Sequence, residues 1–530
     1  MSKSYSGAEV VAKALKEQGV DVVFGIVGIP VVEVAEAIIA EGIKFIGFRN
    51  EQSLSYAAGA YGFLTGRPGV CLVVSGPGVV HAMAGIVNAQ ANCWPLLLIG
   101  GSSDTYQKGM GAFQELDQVA FCQPHTKYSA RPSSISQIPN AIDKAIKTSI
   151  YGRPGPVYVD LPANFIQGKL PQESLNIPKR AADFPKSLAD TTSVKEAAEL
   201  IQNAKSPLVI IGKGASYARA EKEIREFIER TGIPFLPTPM GKGVVSDTHP
   251  LCVSAARSKA IADADVVLLL GARLNWILHF GLPPKFNDDV KFIQVDIYPE
   301  EHFNNSQIRI ALLGHLPLIV SQLLSCFSSS FKYPLTSNYL QSLKQKIEAN
   351  RLPSKDVVFV SEGANTMDIA RSIFDVHEPR CTLATMGVGL GFAIAAKVYY
   401  PNKRVVGIVG DSAFGFSAME IETAVRANLP LTIIIINNNG IYHGLDSKDY
   451  NNTLLNNLPS TALLPDVRYD LIADATGGKG YFVRTPKELG DALDDALREE
   501  NKCVVINVMI QPGGRKKLEF AWMETTKPKL

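Results

Sequence analysis

The sequence lacks a strong charge of either sign. Its 53 Lys and Arg residues nearly balance 51 Asp and Glu residues, which leaves a formal net charge of +2. A surface that holds a nucleic-acid backbone or an anionic membrane normally carries a large positive excess. The composition therefore argues against a nucleic-acid partner and favours a small-molecule ligand.

Cysteines are few, and long apolar runs are missing. The seven cysteines are odd in number and form no CxxC pair, which is typical of reduced, buried thiols rather than of a disulfide framework or a zinc site. One of the longest apolar runs, Leu429–Ile436, falls far short of the roughly 20 residues that cross a bilayer. The N-terminus lacks the basic stretch and apolar core of a signal peptide. We therefore expect no membrane span.

What the sequence does contain is a strand–helix alternation that recurs in three blocks. Its 530 residues suit about three domains. Apolar runs such as Val22–Val27 and Gly69–Ser75 alternate with helical stretches, which predicts an α/β protein of doubly wound parallel sheets. We place the domains at residues 1–170, 193–330 and 357–530, and we interpret the first and third as two copies of one fold type.

One segment of the third block has turn motifs after two successive strands. Gly410–Ser412 follows the apolar run Arg404–Val409, and Asn438–Gly440 follows the run Leu431–Ile436. The carboxyl ends of parallel strands meet at one edge of a sheet, where ligands of open α/β sheets bind. We therefore expect the two turns to share one ligand site.

The residue types in these turns suit a metal-bound diphosphate. Mg²⁺ prefers oxygen ligands and usually takes one or two protein carboxylates together with phosphate oxygens. The Asp411 carboxylate and the neutral Asn438 amide oxygen offer such ligands without strongly repelling a diphosphate. Each motif alone is also ordinary turn chemistry, so the prediction depends on their joint occurrence with 26 residues between Asp411 and Asn438.

A helix is predicted between the two turns. Ser417 and Glu420 form an S-x-x-E pattern, which is typical of a capping box at a helix start. Ile421, Ala424 and Val425 follow at helical spacing and supply an apolar stripe. The segment is therefore expected to form a strand–helix–strand unit.

The segment from Gly410 to Gly440 resembles the thiamine diphosphate (ThDP) binding motif, in which GDG or GDS is followed at this spacing by NN. The resemblance implies ThDP and Mg²⁺ as cofactors. It implies three ligands for Mg²⁺, namely the carboxylate of Asp411, the side-chain oxygen of Asn438 and the backbone carbonyl of Gly440. Two further contacts with the phosphates are expected, from backbone amides near Ser412 and from Asn365 in the loop 363–366.

The resemblance also assigns roles in the first block and to a methionine. The family needs a glutamate that hydrogen-bonds the aminopyrimidine ring and favours the imino tautomer. Glu51, between the apolar run Lys44–Phe48 and the Ala-rich helical stretch Leu54–Leu64, matches this glutamate, although an acidic residue near a helix start is common for other reasons. Met386 matches the bulky residue that keeps the cofactor bent, and a core role fits it equally.

The family's two cofactor domains normally meet across a subunit interface. The resemblance therefore implies a homo-oligomer with active sites between subunits, a dimer at least, and we expect a tetramer. Glu51 of one chain would serve the Asp411 site of another.

Over nearly the whole chain the resemblance is closest to the branch of 2-hydroxyacyl-CoA lyases and oxalyl-CoA decarboxylases. It is carried by several long stretches, among them Asn50–Gly78, Met110–Val119 and Thr385–Phe392. Phe113-Gln114 stands where the decarboxylases have a Tyr-Glu pair, which favours the lyases. Ile29-Pro30 stands where carboligases such as benzaldehyde lyase have a histidine, which argues against that group.

The implied reaction cleaves a 2-hydroxyacyl-CoA into formyl-CoA and an aldehyde shortened by one carbon. The expected catalytic residues are Glu51, Gln114 and Tyr442. Gln114 cannot act as a base, so the group that takes the 2-hydroxyl proton stays open between the cofactor's imino nitrogen, Tyr442 and His443. His443 is equally compatible with a surface loop.

Three alternatives remain at this stage. The first two are related ThDP enzymes, an oxalyl-CoA decarboxylase and an acetolactate-synthase-like carboligase with a flavin in the central domain. The third is a catalytically silent ThDP-binding protein, against which the intact Glu51, Asp411 and Asn438 argue. Whether the central domain holds ADP, a flavin or nothing does not follow from the sequence.

The last three residues, Pro528–Leu530, resemble a peroxisomal address of the Ser-Lys-Leu type. They predict recognition by a peroxisomal import receptor and a peroxisomal location. A cytoplasmic protein whose tail ends in this tripeptide by chance is the alternative.

Overall fold

The structure is a computed structural model, and it describes residues 4–183, 185–305, 307–348, 358–362, 376–380, 382–384, 388–441 and 444–512. The chain forms two compact units. One contains most of the first and third sequence blocks, and the other contains the central block. Four predicted residues and the C-terminal tripeptide lie outside the described residues, namely Asn365, Met386, Tyr442, His443 and Pro528–Leu530.

The first block forms a six-stranded parallel sheet. Its strands lie in the spatial order Lys44–Gly47, Val22–Gly25, Gly69–Val73, Leu96–Ser102, Pro156–Pro162 and Ser129–Ala130. The four central strands are buried along their whole length because helices cover both faces of the sheet. The α-helices of this block are Gly7–Glu17, Val32–Ala40, Glu51–Thr65, Pro77–Asn92, Gln118–Cys122, Ile138–Ile150 and Ala163–Gln167. Ser4–Ser6 and Lys169–Pro171 form a small antiparallel pair.

The third block forms a second six-stranded sheet. Its strands lie in the order Thr382–Ala384, Val358–Glu362, Val405–Gly410, Thr432–Asn437, Val504–Met509 and Lys479–Val483. Counted along the chain, both six-stranded sheets have the order 2-1-3-4-6-5, as expected of two copies of one fold type. The described α-helices of this block are Gly389–Tyr399, Asp411–Gly415, Glu420–Arg426, Ser447–Asn452, Leu471–Ala475 and Pro486–Arg498.

The central block has a five-stranded parallel sheet of its own. The strands lie in the order Phe235–Pro237, Pro207–Ile211, Val266–Leu270, Lys291–Asp296 and Ile308–Leu313. Its α-helices are Thr191–Gln202, Lys213–Tyr217, Glu221–Thr231, Arg257–Asp263, Leu316–Cys326 and Asn338–Glu348. Three parallel sheets flanked by helices confirm the predicted α/β class. Among the described residues, no helix is both long enough and apolar enough to cross a membrane.

The helix Glu51–Thr65 is buried along almost its whole length. It begins at Glu51, so the predicted start at Leu54 is wrong. The reason is Asn50, whose side chain accepts hydrogen bonds from the amides of Gln52 and Ser53 at 2.7 and 3.3 Å and caps a helix that starts before its apolar face. Glu51 is therefore the first residue of the helix rather than part of the loop before it.

A close approach of backbones holds this helix against the residue that precedes the strand Leu96–Ser102. A Cβ atom added to Gly62 would lie 1.9 Å from the carbonyl oxygen of Pro95. Glycine at a helix interior normally costs stability, so its presence here is explained by the contact. Gly490, on the exposed side of the helix Pro486–Arg498, has no atom within 4 Å of the same virtual Cβ.

The two glycines make a matched pair of predictions. Gly62→Ala is expected to destabilise the protein by about 2 kcal/mol or more because the methyl group collides with backbone. Gly490→Ala is expected to stabilise it by roughly 0.5–1 kcal/mol through helix propensity alone. Scanning calorimetry of both variants measures the two shifts in thermal midpoint. A midpoint of Gly62→Ala at or above that of the parent protein would contradict the close packing.

Candidate active site

Asp411 joins the two turns that the sequence predicted to meet. It is the first residue of the short helix Asp411–Gly415 and directly follows the strand Val405–Gly410. One carboxylate oxygen accepts the amide of Gly440 at 3.0 Å, and the other accepts the amide of Ser412 at 2.9 Å. The side chain is therefore held at the carboxyl ends of two neighbouring parallel strands.

The environment of Asp411 suits a cation. The residue is only 3% exposed, and burial raises the pKa of its carboxyl although hydrogen bonds from Ser412 and Gly440 lower it. A buried carboxylate is costly when it lacks a compensating positive charge. The described residues contain no cluster of three or more His, Cys, Asp or Glu that could hold a metal. A magnesium site formed by Asp411 together with amide and carbonyl oxygens stays a prediction.

The three consecutive asparagines after the next strand have separate surroundings. The Asn437 side chain accepts the amide of Asn439 at 3.0 Å. Asn439 has a left-handed backbone with φ of 60°, and its side chain bonds Leu445 and Asp466 at 3.0 Å each. Asn437 and Asn439 thus build the turn. The half-buried Asn438 lies between them, and its backbone amide donates to the Asp411 carboxylate.

Two serines near Asp411 have different surroundings. The amide of Ser412 donates to the Asp411 carboxylate at 2.9 Å, and the contact of backbone amides near Ser412 with a diphosphate stays a prediction. Ser417 does not cap a helix, because the helix starts at Glu420 with Met419 before it and no side-chain cap. The predicted capping box is wrong. The Ser417 hydroxyl is buried and has no hydrogen-bond partner among the described residues, which fits a site that holds a polar ligand.

Glu51 lies at the start of its helix with a side chain that is 16% exposed. Its Oε2 atom is 3.4 Å from Nδ1 of His81, an exposed residue of the helix Pro77–Asn92. The sequence analysis missed His81, because nothing in the local pattern of that helix marks it. Within the described part of the chain, no hydrogen bond or ion pair links Glu51 to Asp411.

Gln114 sits in a strained turn beside the first sheet. Its backbone has φ of 53°, a region that few non-glycine residues occupy. Its side-chain oxygen accepts a hydrogen bond from the Ser75 hydroxyl at 3.0 Å. Its carbonyl oxygen lies so close to Gly76 that a Cβ there would approach it to 2.6 Å. Phe113 next to it is largely exposed.

A buried network of hydrogen bonds holds Gly76, the residue against which this turn packs. The amide of Gly76 donates to the side-chain oxygen of Gln118 at 2.6 Å, and the Gln118 side-chain nitrogen donates to Asp160 at 2.8 Å. The Asp160 carboxylate is fully buried and also accepts Ser102 at 2.8 Å and Arg131 at 2.5 Å. These residues are far apart in sequence and form no motif, which is why the sequence analysis missed them.

Protein-family models match three parts of the chain. The N-terminal TPP binding domain of thiamine pyrophosphate enzymes matches residues 5–121, the central domain matches 194–323, and the C-terminal TPP binding domain matches 362–508. The chain belongs to the thiamine pyrophosphate enzyme family. Asp411, Asn438 and Gly440 lie within the third match, and Glu51 lies within the first.

Three similar proteins show which branch of the family this chain resembles. Human 2-hydroxyacyl-CoA lyase 1 is 50% identical over 98% of this chain and 97% of its own length. The 2-hydroxyacyl-CoA lyase of Saccharomyces cerevisiae is 43% identical over 98% of each chain. Oxalyl-CoA decarboxylase of Escherichia coli is 41% identical over 96% of this chain and 95% of its own length. The predicted resemblance to a ThDP-dependent enzyme of this branch is confirmed.

The contacts of Asp411 lead to a test of the cofactor site. Asp411→Asn replaces one carboxylate oxygen by an N–H₂ group that must face either the Gly440 or the Ser412 amide. We expect Mg²⁺-dependent ThDP affinity to fall by about a hundredfold, because a metal ligand and its charge are lost. Titration calorimetry with ThDP and Mg²⁺ measures the change.

The exposed Asp449, in the first turn of Ser447–Asn452, supplies the control. Asp449→Asn removes an equal charge from an exposed position and is expected to leave the affinity unchanged. Unaltered ThDP affinity in Asp411→Asn would exclude this carboxylate as a metal ligand.

Proposed function

We propose that this thiamine pyrophosphate enzyme is a Mg²⁺-dependent carbon–carbon lyase that splits a 2-hydroxyacyl-CoA into formyl-CoA and an aldehyde shortened by one carbon. The observation that carries the proposal is the Phe113-Gln114 pair on its fixed turn. A neutral amide beside the substrate can donate or accept a hydrogen bond but cannot act as a base. The 50% identity to human 2-hydroxyacyl-CoA lyase 1, against 41% to the decarboxylase, supports the same choice.

The reaction conserves atoms without an oxidant or reductant. The C1–C2 bond breaks, the 2-hydroxyl loses its proton as the aldehyde forms, and C1 gains a proton to become formyl-CoA. Bound ThDP supplies a carbon nucleophile at thiazolium C2 and a ring that accepts the electron pair of the broken bond. The chain has to bind this cofactor, orient the thioester and move two protons.

Each of these tasks has a candidate residue. Asp411, Asn438 and Gly440 are proposed to hold Mg²⁺. Asp411 is the one carboxylate among these three ligands, which limits repulsion of the diphosphate. Glu51, whose side chain is 16% exposed, is proposed to hydrogen-bond the aminopyrimidine ring. Gln114 is proposed to orient the thioester or hydroxyl oxygen.

We further infer a homo-oligomer, a dimer at least, with active sites between subunits, and we expect a tetramer. Exposed apolar side chains support this inference. Val80 and Val87 lie on the helix that carries His81, and Phe416 and Met419 lie just after Asp411. Apolar side chains exposed on both candidate halves of the site are typical of a surface that another subunit covers.

Oxalyl-CoA decarboxylase is the second candidate, because a relative with that name is 41% identical over most of the chain. An acetolactate-synthase-like carboligase has no comparable observation in its favour. The peroxisomal location implied by Pro528–Leu530 stays a prediction.

The activity test uses purified protein with ThDP and Mg²⁺ and compares a 2-hydroxyacyl-CoA with oxalyl-CoA. We expect equimolar aldehyde and formyl-CoA from the first substrate and no CO₂ from the second. Glu51→Ala is expected to abolish turnover and to leave ThDP binding measurable. Release of CO₂ from oxalyl-CoA without aldehyde from the other substrate would establish the decarboxylase instead.

The buried network below Gln114 gives a second test. Gln118→Met keeps the side-chain length but leaves the Gly76 amide without its acceptor, so the turn that carries Gln114 loses its support. We expect kcat to fall by about tenfold, because the Gln114 side chain that is proposed to orient the substrate would be misplaced. ThDP affinity is expected to stay the same.

Steady-state kinetics and titration calorimetry separate these two effects. Gln90→Met, an exposed substitution at the end of the helix Pro77–Asn92, is the matched control and should change neither quantity. A Gln118→Met enzyme with parental kcat would mean that the network only stabilises the fold.

A further inference from the structure

Glu420 is a buried carboxyl of the third block that contacts backbone of the first block. It is 1% exposed. Its two oxygens lie 3.3 and 3.4 Å from the amide nitrogen of Arg49, and the amide of Asn50 also donates to it. The Thr423 hydroxyl donates to Oε2 at 2.6 Å and orients the carboxyl. All three donors thus converge on one side chain.

Burial makes the charged form of the Glu420 carboxyl energetically unfavourable. Burial raises the pKa of the Glu420 carboxyl to about 7, against the lowering effect of hydrogen bonds from Thr423, Arg49 and Asn50. A carboxyl at the start of a helix normally turns to its own helix end or to water. Glu420 instead accepts hydrogen bonds from two residues that directly precede Glu51.

Two further residues of the same helix, the exposed Arg426 and the partly exposed Glu422, contact the same segment. The Arg426 guanidinium donates to the carbonyl oxygen of Gly47 at 2.6 Å, and Glu422 pairs with the Arg49 guanidinium at 3.2 Å. The segment 47–50 is therefore held by a buried inner pair, Glu420 and Thr423, and by a more exposed outer pair, Glu422 and Arg426. Exposed ion pairs contribute little to stability, so we expect the inner pair to contribute most to the position of this backbone.

We propose that Glu420 is a positioning residue for Glu51, and that it acts by holding the backbone amides of Arg49 and Asn50 from which the helix of Glu51 starts. The hydrogen bonds that Glu420 accepts come from Arg49, Asn50 and Thr423 of this chain. A shift of 1 Å in a group that moves a proton reduces catalysis strongly, and nothing between Asn50 and Glu51 can absorb such a shift. The inference rests on the proposed role of Glu51 at the aminopyrimidine ring.

The arrangement has a consequence for an oligomer with sites between subunits. Glu420 follows Asp411 on the same strand–helix–strand unit, and the residues that it holds lead to Glu51 of the same chain. The inner pair would then join the metal-binding half of one active site to the activating glutamate of another.

The decisive experiment measures how fast the thiazolium C2 hydrogen of ThDP exchanges for deuterium in the Mg²⁺ holoenzyme, by acid quench and NMR. Glu420→Met removes both acceptor oxygens at similar size, and we expect exchange to slow by at least about tenfold. ThDP affinity is expected to stay within about threefold, since Asp411 is intact. Glu420→Gln keeps one acceptor oxygen and should restore exchange to within about threefold of the parent.

Two further variants serve as control and fallback. Glu422→Gln breaks only the ion pairs of Glu422 with Arg49 and Arg426. It is expected to change the exchange rate by less than about twofold. Thr423→Val keeps the carboxyl but removes the donor that orients it, and we expect exchange to slow by about threefold or more. Thr423→Val decides the question if Glu420→Met does not fold.

The outcomes separate this proposal from the proposed function. Exchange in Glu420→Met within about threefold of the parent, or Glu420→Gln as slow as Glu420→Met, would overturn the positioning role. Glu51→Ala is run beside them. If Glu51→Ala itself exchanges at the parental rate, the activating role of Glu51 fails, whereas loss of exchange in Glu51→Ala alone refutes only the role of Glu420.

Discussion

The candidate active site depends on one buried carboxylate that bridges two strand ends. Asp411 accepts the amide of Gly440 from the turn after the next strand, and its position follows from the parallel pairing of Val405–Gly410 with Thr432–Asn437. Without this hydrogen bond, the asparagine turn would have no fixed distance from the carboxylate. Metal and diphosphate ligands are useful only when such distances are set before the ligand arrives.

Two further buried carboxylates, Asp160 and Glu420, hold the backbone next to Gln114 and Glu51. Asp160 holds Gln118, which holds Gly76 below Gln114, and Glu420 holds the backbone before Glu51. Buried polar networks of this kind are stabilising only when every member is satisfied. They therefore restrict the turns above them to one arrangement, which is what a site that moves protons requires.

Much of the architecture was predictable because it depends on local apolar pattern. The predicted run Gly69–Ser75 begins at the same residue as the observed strand Gly69–Val73, and the strand Thr432–Asn437 was predicted one residue early. Predictions that depended on local polar pattern fared worse. Ser417 and Glu420 form a good capping sequence, but contact with the first block draws Glu420 to Arg49 and leaves the Ser417 hydroxyl buried without a described partner. The early helix start at Glu51 was missed because its cap precedes its apolar face.

The sequence alone determined the fold class, the family and the pairing of Asp411 with Asn438 and Gly440, because parallel strands bring neighbouring turns together whatever the rest of the chain does. Only the tertiary structure decided which asparagines build the turn, that His81 lies beside Glu51, and that Gln118 and Glu420 support the two turns of the site. Those contacts join residues from separate parts of the chain. Their partners are chosen by packing and by the need to satisfy buried polar groups, and neither leaves a periodic or short-range signal.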